Sequence, residues 1–357
     1  MKLTSLLFVG AVLLFSTASF SQSKKPAVPD PLYAQIALRL KAEAERLSAV
    51  SGGKLGVTAI HVESGKAFSQ NGSEGFPMAS SFKVPIAVQL LARVDSGMLS
   101  LDQLVEITRE DMHPGSGMIS ERFNWPNNVK PGVAMSVRTL MELMLLISDN
   151  SATDICLRLA GGPSKVNACM KRLGINGIRV DRPCSILIAD YVGVPWPANK
   201  PWLNSTFDSL ANLIKPEDAK IFEKKLDEDP RDTSTPDAMA NLLLQLYTKP
   251  ILKESSRFLL LDIMRRCETG LARLKGLLPE GTEVMHKTGT IGMTTNDVGI
   301  ITLPGDAGHL VVAAFVKSSE KSVPDRERAI AEVTRLLYDH FILFHEVAKV
   351  QVDMKAK

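Results

Sequence analysis

The sequence predicts a mixed α/β (α+β) chain: a mixed antiparallel sheet flanked by N- and C-terminal helices, plus an all-helical lobe. Three observations predict it. Strand-like runs sit at both ends, KLGVTAIHV and AFSQ early, then TEVMHKTGT, NDVGIITLP and HLVVAAFVKSS late. The middle is helical by apolar period. A helical pattern brackets each end, PLYAQIALRLKAEAERLSAV and PDRERAIAEVTRLLYDHFILFH.

Taken in order, the first helix closes at Gly52 and Gly53, and ESGK joins the first two strands as a hairpin. TLMELMLLISDN carries a capping box in Thr139 and Glu142. SATDICLRLAGG stops at paired glycines, and PSKVNACMKRLG stops the same way. TPDAMANLLLQLYT and SRFLLLDIMRR continue the helical lobe, and the last helix starts with Pro324 near its first turn. A cleft between sheet and lobe is a natural small-molecule site.

The 357 residues are 45% hydrophobic and 23% charged, enough for a sizeable core. The net charge of +3 comes from scattered Lys and Arg, which argues against a nucleic-acid partner. Lys2, the apolar run LTSLLFVGAVLLF and the small residues STASFSQS have the order of a secretory signal peptide. The expected product is cut near Ser21, secreted or periplasmic, monomeric and without a membrane span. The expected boundaries are a signal peptide over 1–21, a linker over 22–30, a catalytic domain over 31–347 and a tail over 348–357. The helical lobe is expected over about 84–280. Cys156, Cys169, Cys184 and Cys267 match no zinc spacing, and no histidine pair has ligand spacing. Neither a metal nor a cofactor is expected.

The chemistry-bearing stretch is FPMASSFKVP, with Ser80 three residues before Lys83. Alone it decides nothing, since Ser21 with Lys24 and Ser318 with Lys321 repeat the pattern. Read alone, Ser80 is as well a helix cap and Lys83 a solvated lysine. Two further motifs follow in order, Ser148-Asp149-Asn150 and Lys287-Thr288-Gly289. Together the three are the signature of class A β-lactamases and penicillin-binding proteins. Most of the mature chain, from about Leu32 to Phe341, resembles that family, including GVTAIHVESGKAFSQNGSEGFPMASSFKVPIAV, MSVRTLMELMLLISDNSAT and ETGLARLKGLLPEGTEVMHKTGT.

The resemblance implies an exported serine hydrolase that opens β-lactam rings, with two alternatives: a DD-peptidase acting on D-Ala-D-Ala peptides, or a β-lactam-binding sensor that is acylated once and does not turn over. Ser80 would be the nucleophile and Lys83, one helical turn on, its proton acceptor. Ser148 would relay a proton to the leaving nitrogen, and Lys287 would supply positive potential. Asn150 would bond the substrate's acylamide side chain. Thr288, Gly289, Thr290 and Arg273 would form the substrate-binding edge, with Thr288, Thr290 and Arg273 on the carboxylate. The oxyanion hole would be the N–H groups of Ser80 and Thr290. Arg273 is equally well a surface residue, and Asp149 reads as structural.

One part departs from the family pattern. Asp181-Arg182-Pro183-Cys184 matches the entrance of the loop that normally carries a catalytic glutamate, and Pro230-Arg231-Asp232-Thr233 its exit. The anchoring pair Arg182 with Asp232 is kept, but the glutamate position is Cys184 and the usual asparagine is Ile188. The loop is long, an insertion over about 183–231 with WPANKPWLN and a helical PEDAKIFEKKL. It reads as a lid or as a surface elaboration. A neutral thiol is a poor general base, so deacylation is expected to lag unless Lys83 or Asp190, Glu217, Glu223 or Glu228 substitutes.

Overall fold

The computed structural model describes residues 31–113, 115–123, 133–195 and 204–356. The expected signal peptide and linker lie outside them, as does most of WPANKPWLN. Contacts divide the chain into a unit Met1–Arg39, of which only the start of the first helix is described, and a unit Leu40–Lys357. Everything below concerns the second unit.

Its centre is a five-stranded antiparallel sheet. The strands are β1 (Lys54–His61), β2 (Ala67–Gln70), β7 (Val284–Ile291), β8 (Thr294–Thr302) and β9 (His309–Lys317), in the order β2-β1-β9-β8-β7. Two small ladders pair β3 (Phe76–Pro77) with β6 (Thr233–Ser234), and β4 (Leu104–Glu106) with β5 (Ala134–Ser136).

Between the early and late strands run α2 (Lys83–Asp95), α3 (Met118–Phe123), α4 (Val137–Leu146), α5 (Asn150–Leu159) and α6 (Pro163–Arg172). The insertion then supplies α7 (Cys184–Val192), α8 (Asn204–Ala211) and α9 (Pro216–Asp227), before α10 (Pro236–Thr248) and α11 (Glu254–Arg265). The terminal helices are α1 (Pro31–Val50) and α12 (Val323–Ala356), the latter running through the segment expected as a tail.

The strand β9 shows why the sheet is covered on both faces. Alternate side chains point to opposite sides. Val311, Ala313 and Phe315 join the core of the helical lobe, whereas Leu310, Val312, Ala314 and Val316 pack with Leu47, Val333 and Leu337 of α1 and α12. That leaves β7 as an edge strand of the sheet, packed against α11 of the lobe.

The expected capping box at Thr139 is corrected. Ser136 caps α4, its hydroxyl accepting from Thr139 N at 3.1 Å, so the helix starts three residues earlier than Thr139–Glu142 implied. Serine there meets the free first-turn N–H groups, which leaves Thr139 inside the helix.

Candidate active site

The nucleophile stretch is a 3-10 turn, Ala79–Phe82, running straight into α2. Ala79 holds a left-handed φ of 43°, an uncommon state for a residue with a Cβ and one that concentrates at functional sites. Gly289 of β7 lies against this turn. A Cβ there would meet Met78 O at 2.5 Å and Ser81 N at 3.0 Å, so only glycine lets the strand approach the serine so closely. Ser80 is partly exposed.

Lys83 is fully buried, and its ammonium donates to Ser148 O at 2.8 Å, Ser148 Oγ at 3.0 Å and Asn150 Oδ1 at 3.0 Å. Lys287 is also fully buried, and donates to the same Ser148 Oγ at 3.1 Å and to Thr288 O at 3.0 Å. Two segments, one 65 residues before Ser148 and one 139 residues after it, thus converge on one hydroxyl. Ser148 itself has φ 64°, in the sharp turn between α4 and α5. Asp149 makes that turn possible. It is completely buried, its carboxylate accepting from Ala152 N and Ile119 N, which is the structural role expected of it.

Burial sets the electrostatics. It pushes the Lys83 amine below the ordinary lysine range, opposed by the nearby carboxylates of Asp149 and Asp154. It pushes Lys287 down to about 7, helped by the neighbouring charges of Lys83 and Arg273 and opposed by Cys267 and Asp297. Both amines meet at the Ser148 hydroxyl.

Along β7, Thr288 Oγ1 is 2.6 Å from Thr269 Oγ1. Arg273 is not a surface residue: it is 5% exposed, with its fork held on four acceptors. Nε donates to Glu327 at 3.0 Å, Nη1 to Gly289 O at 3.1 Å and Asn296 O at 2.8 Å, and Nη2 to Thr290 Oγ1 at 2.6 Å. The guanidinium is thereby fixed beside Thr290. Glu327 and Thr269 were not found in the sequence; their partners lie 54 and 19 residues away, beyond any local spacing rule.

The second wall is different. Cys184 opens α7, buried, and burial pushes its thiol up to about 12. Below it, the Asp154 carboxylate accepts from Cys184 N at 2.6 Å and Ser185 N at 3.0 Å. Asp154 was also missed from sequence, although it sits one turn after Asn150 on α5. Ile188 and Asn150 flank Gly115: a Cβ there would lie 2.8 Å from Ile188 Cδ1 and 2.5 Å from Asn150 Nδ2.

The anchor is as expected. Arg182 Nε donates to Asp232 Oδ2 at 2.6 Å, both residues buried. Arg182 also meets Asp229 at 3.0 Å and Asp190, which is shared with Arg231. Asp190 is thereby committed to guanidinium groups. Glu217 and Glu228 are exposed on α9 and at its end, and Glu223 faces the β7–β8 turn at Gly292. α9 packs on α7 and is fastened by Asp227, which accepts from Ser318 N, Ser318 Oγ and Thr294 Oγ1. Ser318 of the repeated Ser-x-x-Lys pattern is thus a latch for the insertion, not a nucleophile.

A sheet with terminal helices on one face and a helical lobe on the other, a serine at a helix start and two buried lysines sharing a second serine define a serine acyl-transfer fold. Residues 39–341 match the β-lactamase enzyme family, and the chain belongs to it. Beta-lactamase VEB-1 of Pseudomonas aeruginosa is 28% identical over 352 residues, spanning 96% of this chain and 99% of that protein. The extended-spectrum beta-lactamase PER-1 of the same species is 32% identical over 75% of this chain and 76% of its own. Among solved structures, a beta-lactamase from Chitinophaga pinensis DSM 2588 superposes with TM-score 0.69 at 29% identity, covering 85% of this chain and 99% of its own. An ancestral class A β-lactamase gives TM-score 0.67 at 32% identity, covering 84% and 99%. The chain is a serine β-lactamase hydrolase of the class A type.

Proposed function

We propose that β-lactams acylate Ser80 in an enzyme whose second step, release of the acyl group, is slow. The supporting observation is the contrast between the Lys83–Ser148–Lys287 network and the neutral Cys184 thiol at the loop position. Neutral Lys83 takes the Ser80 proton as Oγ bonds to the lactam carbonyl carbon. The developing oxyanion is held by the N–H groups of Ser80 and Thr290. The C–N bond then breaks, and the proton passes from Lys83 through Ser148 to the leaving nitrogen. Lys287, Arg273, Thr288 and Thr290 hold the substrate carboxylate, and Asn150 the acylamide.

Deacylation requires a water stripped of its proton near the ester. A thiol titrating near 12 is protonated at pH 7 and supplies no base, and Ile188 offers water no polar partner. Lys83 is the remaining base for that step. Intact-mass spectrometry of the penicillin adduct tests this: a +1 acyl adduct that forms quickly and persists for minutes supports the proposal, and one that never accumulates during turnover refutes it. A D-Ala-D-Ala peptide enters by the same acylation, and its cleavage by the protein makes a cell-wall peptide a second substrate class. The charged start, apolar run and small residues of the first 21 positions support export; N-terminal sequencing of the mature protein tests it.

A further inference from the structure

Three segments must meet for this chemistry, and each is bonded to the same two residues of β8. Asn296 Nδ2 donates to Pro77 O at 2.8 Å and Met78 O at 2.9 Å, which holds the approach to Ser80. Asn296 O accepts from Arg273 Nη1. The neighbouring Asp297, completely buried, accepts from Leu274 N at 3.1 Å through Oδ2. Both of its oxygens face His286 Nδ1, at 2.9 and 3.0 Å, and that ring is completely buried too.

The order along the chain matters here. Leu274 directly follows Arg273, and His286 directly precedes Lys287. Successive strand residues point to opposite faces, so the imidazole is gripped on the side of β7 away from the Lys287 amine. Gly299 stands opposite His286 in the ladder, and a Cβ there would come within 2.7 Å of His286 Cβ. The other ring nitrogen, Nε2, is buried without a partner. A buried ring that leaves one nitrogen unpaired yet keeps its bond to Asp297 is held there for that bond.

We infer that Asp297 is a positioning residue: by gripping the Leu274 N–H and the His286 imidazole with one carboxylate, it fixes the spacing between Arg273 and Lys287. It touches no substrate. The inference rests on the proposal that Arg273 and Lys287 act on the substrate carboxylate. Its negative charge also opposes the fall of the Lys287 amine, in keeping with a role beneath that lysine.

The test compares benzylpenicillin with its methyl ester, following formation of the Ser80 adduct on the full chain. Asp297→Asn is expected to raise the half-saturating concentration of the acid about tenfold, with the limiting acylation rate and the ester kinetics unchanged. His286→Phe should act in the same direction, and His286→Gln, which keeps an N–H donor, should recover most of the loss. Should Asp297→Asn not fold, the two His286 variants decide. An equal loss on acid and ester, or none on either, overturns the inference. Arg273→Gln separates it from the reading beneath it. An acid-specific loss in Arg273→Gln alone removes only the Asp297 role. A loss in Arg273→Gln that is equal on acid and ester, or no loss on either, removes the carboxylate assignment and this inference together.

Discussion

The two walls of the cleft are built on opposite plans. On the wall formed by α2, the α4–α5 turn and β7, the charged side chains are buried and bonded: two lysines share one hydroxyl, and Arg273 has four acceptors. On the α7 wall, the loop positions hold a protonated thiol at Cys184 and an isoleucine at Ile188 beside Gly115, and the ionic bonds lie in the loop anchor. Under the proposed function, making an acyl bond and breaking it with water are separable tasks. The first uses the Lys83–Ser148–Lys287 network. The second falls to Lys83, because the loop position holds a thiol where a carboxylate would serve as base.

The sharpest break of the comparison is Ser80→Ala, which should cut adduct formation by a factor on the order of 10⁴ or more, read as loss of the penicillin mass shift. An adduct that survives this change would place the nucleophile elsewhere. Next is Cys184→Glu, which gives the second wall a carboxylate and should shorten adduct lifetime by about 10²- to 10⁴-fold. Its partner, Cys184→Ala, should leave the lifetime within about twofold, since a neutral thiol contributes no base. A longer lifetime in the alanine variant would show the thiol acting after all.

Arg182→Ala strands the buried Asp232, while Asp229 and Asp190 keep Arg231, and should cost about 3–5 kcal/mol in urea unfolding. Adduct formation should suffer less than adduct release, because α7 hangs from this anchor and α2 does not. The smallest effect concerns pH. An unfolded lysine titrates near 10.4, whereas burial holds Lys287 at about 7. Between these values the unfolded chain binds the extra proton, so raising pH favours the folded state. Wild type should therefore gain stability relative to Lys287→Met from about pH 7 to about pH 10. A difference that stays flat over that range would show the amine keeping its proton in the fold.

Ser80, Lys83, Ser148 and Lys287 were legible because each belongs to a short motif whose spacing follows from one helical turn or one strand. The sheet was legible because HLVVAAFVK is apolar on both pleats, as a strand covered on both faces must be. The supports were not. Glu327 is paired with Arg273, and Asp154 caps α7 from α5, 30 residues before Cys184. Such partners are set by how strands and helices stack, which no local pattern encodes. The Thr139 cap failed for a smaller reason: two hydroxyls three residues apart compete for one helix start, and Ser136 takes it by lying where the chain is still extended.

Cys156, Cys169, Cys184 and Cys267 are all buried and all unbridged. No covalent cross-link closes a loop among them, so packing, hydrogen bonds and ion pairs keep the chain folded. A reductant should leave the melting temperature where it was, and the protein can be made in a reducing cytosol and assayed without any oxidative refolding.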